Sequence, residues 1–145
     1  MFNSILVPVD VAHRSSWEHA LPQAIELAAD SRGSVTVVTV VRSFELMLQG
    51  VALPMQLEQI LAMTRNRLAH IVAEYARMRG EIEQQVRVGS IAREIIAAAT
   101  ERRSDLILMA SHRPEMRDYL IGPNAAHVAQ HAPCSVLVLR RPPAG

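Results

Sequence analysis

Lysine is absent from this 145-residue chain: all fifteen of its cationic residues are arginine. That excludes every mechanism needing an ε-amine, including the lysine of a G-x4-G-K-(S/T) phosphate loop. It also excludes a receiver domain, which needs an acidic cluster plus a lysine; at the end of the first strand only Asp10 is present. Cysteine is nearly absent. Cys134 stands alone and has no intrachain partner for a disulfide, which fits a reducing cytosol and leads us to expect a cytoplasmic protein. Half the residues are hydrophobic, yet no apolar run reaches the roughly eighteen residues of a membrane span, so no membrane insertion is expected. The first residues already read as a strand, and no signal peptide is expected ahead of them. A net charge of +1 argues against nucleic acid as the main partner. His13, His19, His70 and His127 show no ligand spacing with cysteine or paired acids, so a zinc site is not expected.

What is present alternates between strand and helix. Residues 4–9 form a buried apolar strand, with Pro8 near its end and Asp10 at its carboxyl tip. Ser15-Ser16-Trp17-Glu18 carries an S-x-x-E capping box, predicting a helix to Ala29 that Pro22 kinks or truly begins and Arg32-Gly33 ends. Residues 35–41 are rich in β-branched side chains and predict a strand. A less regular segment, broken by Gly50 and Pro54, precedes a long amphipathic helix over 55–79 that Gly80 closes. Residues 83–88 alternate, as a strand near the sheet edge does. Ser90 then caps a helix to about Arg102. Residues 106–110 and 135–139 complete the strands, with a short helix over 123–131 between them and a frayed tail over 141–145. The chain is one domain, residues 1–145, with a core large enough to need no staples. Strands alternating with helices imply a doubly wound, five-stranded parallel α/β sheet with helices on both faces. In the order 3-2-1-4-5 its ligand crevice lies beyond the carboxyl ends of the first and fourth strands, where the winding reverses.

The stretch from Leu106 to Ala125 is the most informative. A continuous apolar run stops at Ser111, His112, Arg113 and Pro114, and Gly122-Pro123-Asn124-Ala125 then opens a helix. A strand, a polar loop and a helix start suit an anion, because backbone N–H groups and the helix dipole supply the positive end. With ILVPVD ending at Asp10, Val88-Gly89-Ser90, the Tyr119-Leu120-Ile121-Gly122 turn, Asn124-Ala125-Ala126 and HAPCSVLVLR from His131, this chain resembles the universal stress protein family. The resemblance covers essentially the whole chain, and its motifs are specific in combination. The usual family loop is G-x2-G-x9-G-(S/T). Here Ala110 stands at the first glycine, Arg113 at the second and Pro123 at the Ser/Thr, a spelling similar to a nucleotide-associated subgroup.

The resemblance implies an adenine nucleotide alpha-hydrolase-like fold and a homodimer joined through residues 135–139. It also implies bound ATP, or AMP or ADP, with Mg²⁺ as companion ion. Its contacts fall on Pro8, Val9, Asp10, Val40, Met109, Ala110, Ser111, His112, Arg113, Gly122, Pro123, Asn124 and Ala125. Read from residue chemistry, Asp10 is either a nucleotide acceptor or a turn cap. His112 and Arg113 either grip phosphate, for which the arginine fork is suited, or sit on an exposed loop. Gly89-Ser90 reads as a helix start, and Cys134 as a buried small hydrophobe. Met47, Met55 and Met63 belong to an adaptable apolar region, for core packing or for a lid. The expected function is that of a nucleotide-sensing regulator acting on a protein partner the sequence does not name. No residue set identifies a catalyst. A slow ATP hydrolase and a nucleotide-free interaction module are the alternatives, separable by turnover and by nucleotide binding.

Overall fold

The computed structural model describes residues 1–42, 50, 54–78, 81–111 and 123–140. Its first strand, β1 (Ser4–Pro8), forms where Ile5, Leu6 and Val7 follow one another without a polar break, and all three are buried. Successive strand side chains point to opposite faces, so such a run suits only a sheet covered on both sides. After a 3₁₀ turn (Arg14–Ser16) come α1 (Ala20–Ser31), β2 (Ser34–Arg42), α2 (Pro54–Tyr75) and β3 (Glu83–Gly89). The chain then continues through α3 (Ile91–Arg102), β4 (Leu106–Ala110), α4 (Pro123–His131) and β5 (Ser135–Leu139). Every ladder is parallel and the order is β3-β2-β1-β4-β5, as the alternation of elements predicted.

The core is two cores, one on each face. Ile5, Val7, Val35, Val37, Leu106 and Leu108 pack with Leu21 and Ile25 of α1 and with Leu68 and Ile71 of α2. Leu6, Val38, Ile107 and Met109 pack with Ala92 and Ile95 of α3 and with Ala125 and Val128 of α4. Burying a Val, Leu or Ile side chain contributes about 1.5–3 kcal/mol, so the period-2 split of these residues fixes the register. A one-residue slip would send each set to the wrong helices. At the β3 edge, where pairing cannot help, charge does. The Arg87 guanidinium reaches Glu94 at 2.9 Å and Glu101 at 2.8 Å, tying strand to helix and holding the Glu101 carboxyl below its usual range.

Three expectations change. The capping box at Ser15–Glu18 does not form: α1 starts at Ala20, with His19 at its N-cap and no side-chain cap bond. The Ser16 hydroxyl is engaged elsewhere, accepting the Asp10 N–H at 2.8 Å. Pro22 is the third helical residue, within the first turn where a missing N–H costs nothing. Cys134 is half-buried against the second core rather than enclosed, and burial pushes its thiol up, with Asp105 adding to the shift. Ser90 does hold the N-cap position of α3, in extended geometry and without a side-chain bond. The long helix ends at Tyr75, short of the expected 79; Met47, Gly80 and the 141–145 tail lie outside the described residues.

Helices α1 and α3 end alike. Arg32 (φ 54°) and Arg103 (φ 52°) are left-handed, and the next N–H reaches back, Gly33 to the Ala28 carbonyl at 2.8 Å and Ser104 to that of Ala99 at 2.9 Å. This is the Schellman arrangement, here with arginine rather than glycine in the left-handed place. Gly33 is needed for space instead: a Cβ there would lie 2.8 Å from the carbonyl oxygens of Phe2 and Asn3. Gly33→Ala should therefore cost about 1–3 kcal/mol by overpacking, read as a lower urea midpoint with an unchanged slope.

Candidate functional site

In a parallel sheet the N–H and C=O of alternate residues face alternate neighbours. Val9 donates to the Val38 carbonyl at 2.8 Å, so odd-numbered residues of this strand address β2. The Ser4 carbonyl accepts from Asp105 at 2.9 Å, so even-numbered residues address β4. Pro8 is therefore missing its N–H on the side that faces β4. The ladders agree. β1 pairs with β2 from Ser4↔Ser34 to Pro8↔Val38, but with β4 only at Ile5↔Leu106 and Leu6↔Ile107. β4 stays joined to β5 as far as Ala110↔Leu139. The sheet thus splits beyond Leu6, and the split opens at the topological switch point.

A cavity of about 400 Å³ occupies the split, within the size range of small-ligand pockets. Pro8, Val9 and Asp10 line one side, Met109 and Ala110 the other, with Val40 of β2 and Asn124 of α4 beside them. Seven expected residues therefore share one cavity. Three others sit elsewhere. The Ser111 N–H donates to the Leu139 carbonyl at 2.7 Å, Pro123 is exposed, and Ala125 is packed in the second core. His112, Arg113 and Gly122 lie outside the described residues.

The sequence reading missed the rest of the wall. Thr39 and Arg42 come from β2, Ile91 and Ile95 from α3, and Ile60 and Thr64 from α2. The signal for α2 lay in spacing: Leu57, Ile60, Leu61 and Thr64 recur at helical intervals, and all four are only half-buried. The helix is anchored further on, where Leu68 and Ile71 are buried. Its first half is thus a roof over the cavity rather than part of either core.

Asp10 shapes the mouth. Its Oδ1 accepts the Ala12 N–H at 2.9 Å, an Asx turn, and its Oδ2 lies 2.9 Å from His13 Nδ1. The Ser16 hydroxyl accepts the Asp10 N–H and lies 2.7 Å from the His13 carbonyl and 3.0 Å from that of Asp10. Asp10 is therefore a turn cap in this structure. Each of its oxygens keeps a second lone pair, and the side chain is half exposed. Ser16→Ala should loosen this turn and cost about 1 kcal/mol, measured as a drop in urea midpoint. The same variant should speed amide exchange at Asp10 and Ala12.

A doubly wound sheet that splits beside a small-ligand cavity defines a class of α/β binding domain. The universal stress protein family profile matches residues 1–140, and the chain belongs to that family. It is 31% identical over 143 residues to universal stress protein G of Shigella flexneri and of Escherichia coli O157:H7, covering 97% of this chain and 100% of each relative. Among solved structures, universal stress protein UspA from Lactobacillus plantarum superposes with a TM-score of 0.69 at 20% identity, over 95% of this chain and 97% of that one. A universal stress protein in complex with cAMP gives 0.62 at 22% identity, over 96% and 97%.

Proposed function

We propose that this chain is a nucleotide-responsive regulator that holds an adenine nucleotide, ATP or its di- or monophosphate, in the split between β1 and β4. The observation that carries the reading is the split itself: a cavity of about 400 Å³ lined by apolar side chains together with polar ones that include Asp10 and Asn124. The cAMP complex of a related protein supports the same ligand class. Asp10 accepts a hydrogen bond from base or ribose through a free lone pair, and Val40 lies beside the base. The phosphates take the N–H groups of Asn124 and Ala125, which as first-turn residues of α4 have no intrahelical acceptor. Arg113 grips them with its fork, replacing donors that Pro123 removes, and Mg²⁺ shares their charge. Bound nucleotide stabilises one conformation and so biases contact with a protein partner.

Stabilisation of the native state by a ligand is RT ln(1 + [L]/Kd), roughly 2.7 kcal/mol at a hundredfold excess. ATP with Mg²⁺ should accordingly raise the melting temperature. A hydrogen bond to a charged group is worth about 1.5–3 kcal/mol, so Arg113→Ala should weaken ATP roughly ten- to a hundredfold and leave adenosine unaffected. No shift with any adenine nucleotide at millimolar concentration identifies an interaction module instead, and sustained phosphate release identifies a hydrolase.

We also infer a homodimer through β5. This strand ends the sheet, and its Leu139 carbonyl faces β4 through Ser111, so by alternation Val136 and Val138 turn their N–H groups to the open edge. Edges of this kind are normally covered. Val138→Pro removes an outward donor without breaking the β4 ladder and should yield monomers in sedimentation, whereas a monomeric unmodified chain at micromolar concentration would refute the dimer.

A further inference from the structure

Helix α4 carries two histidines at i and i+4, His127 and His131. Both are exposed, and their ring centroids stand 4.6 Å apart with the planes tilted by 44°. The other described histidines are committed. His13 Nδ1 meets Asp10, His70 Nδ1 meets the Asn66 carbonyl, and His19 Nε2 lies 3.8 Å from Glu18. Among the described residues, the rings of His127 and His131 have only each other. As cations they would repel at this spacing, as like charges four residues apart on a helix do. As neutral imidazoles they offer two unsaturated nitrogen donors on one helix face.

We propose that His127 and His131 form an open, two-imidazole site for a divalent first-row transition ion, with Cu²⁺ preferred. Metal–imidazole bonds of about 2.0–2.1 Å put the two donor nitrogens roughly 3 Å apart. Rings already side by side at the surface reach that by modest rotation about χ1 and χ2. Nitrogen donors bind Cu²⁺ above both Ni²⁺ and Zn²⁺. The remaining coordination positions belong to water. No group of three or more His, Cys, Asp or Glu suited to a metal occurs among the described residues. The site is consequently not a closed zinc centre of the kind the sequence argued against. Nor does it depend on the nucleotide reading, since neither ring lines the cavity. Coordination bridges successive turns of α4 and so should raise the melting temperature. Metal binding displaces protons from its ligands, so affinity falls at acid pH.

The test is titration of the full chain with Cu²⁺ at pH 7.5 in a non-coordinating buffer, by calorimetry and electron paramagnetic resonance. The unmodified chain, His127→Ala, His131→Ala and His13→Ala are compared. One tight ion per chain is expected, with nitrogen hyperfine structure from two imidazoles. Each α4 variant should lose at least the roughly tenfold that removal of even an outer-shell partner costs, and His13→Ala should lose nothing. Both rings are exposed, so the metal-free melting temperatures of the α4 variants should match that of the unmodified chain. His127→Gln and His131→Gln repeat the comparison with helix formers. Equal affinity in either α4 variant, a one-imidazole spectrum, or loss in His13→Ala alone would overturn the assignment.

Discussion

A proline on the wrong side of a ladder sets the geometry of this protein's useful end. Pro8 has no N–H to give β4, and pairing between those strands stops at Leu6↔Ile107. The two halves of the sheet, each well paired internally, then diverge. The alternating burial of Ile5, Leu6 and Val7 holds β1 in place. That leaves the divergence nowhere to go but open. The cavity is thus a by-product of two requirements, a buried central strand and an interrupted ladder, and its walls are whatever the flanking elements place there.

Those walls are uneven in a way that matters for recognition. Floor and sides come from rigid core strands, while the roof comes from the half of α2 that neither core fixes. Apolar surface there gains by being covered, which on the proposed function favours entry of the base before any hydrogen bond forms. On the same proposal Asp10 then selects orientation. Asp10 is well suited to that, because the Asx turn and His13 hold its carboxylate in one place and the entropy of ordering it is already spent.

Much of this was legible in the sequence where local and global preferences agree. β4, α4 and β5 have the expected bounds because an unbroken apolar run, a proline at the first helical position and a second apolar run each admit one reading. Pro8, Val9, Asp10, Met109 and Ala110 were legible because the switch-point rule depends only on strand order, Asn124 because a helix start follows β4 in sequence, and Val40 only through the family resemblance. The start of α1 was not, since the Ser15–Glu18 spelling fits a capping box, whereas tertiary placement gives this stretch to the Asp10 turn through Ser16 and starts the helix at Ala20. The roof residues Ile60 and Thr64 were invisible for another reason. Periodicity reveals which side of a helix is apolar, not whether that side meets a core or a cavity.

The left-handed arginines at the ends of α1 and α3 have a wider consequence. They reverse the chain within a few residues, Ser31 to Ser34 and Arg102 to Leu106, and Gly33 leaves no room even for a methyl group. On the opposite side of the sheet, the stretch between β1 and α1 runs longer, from Val9 to His19, with a 3₁₀ turn inside it. The molecule therefore has an inert pole and a permissive one. A change of length is accommodated more readily in that longer stretch than in the tight reversals, where a single added methyl already meets backbone.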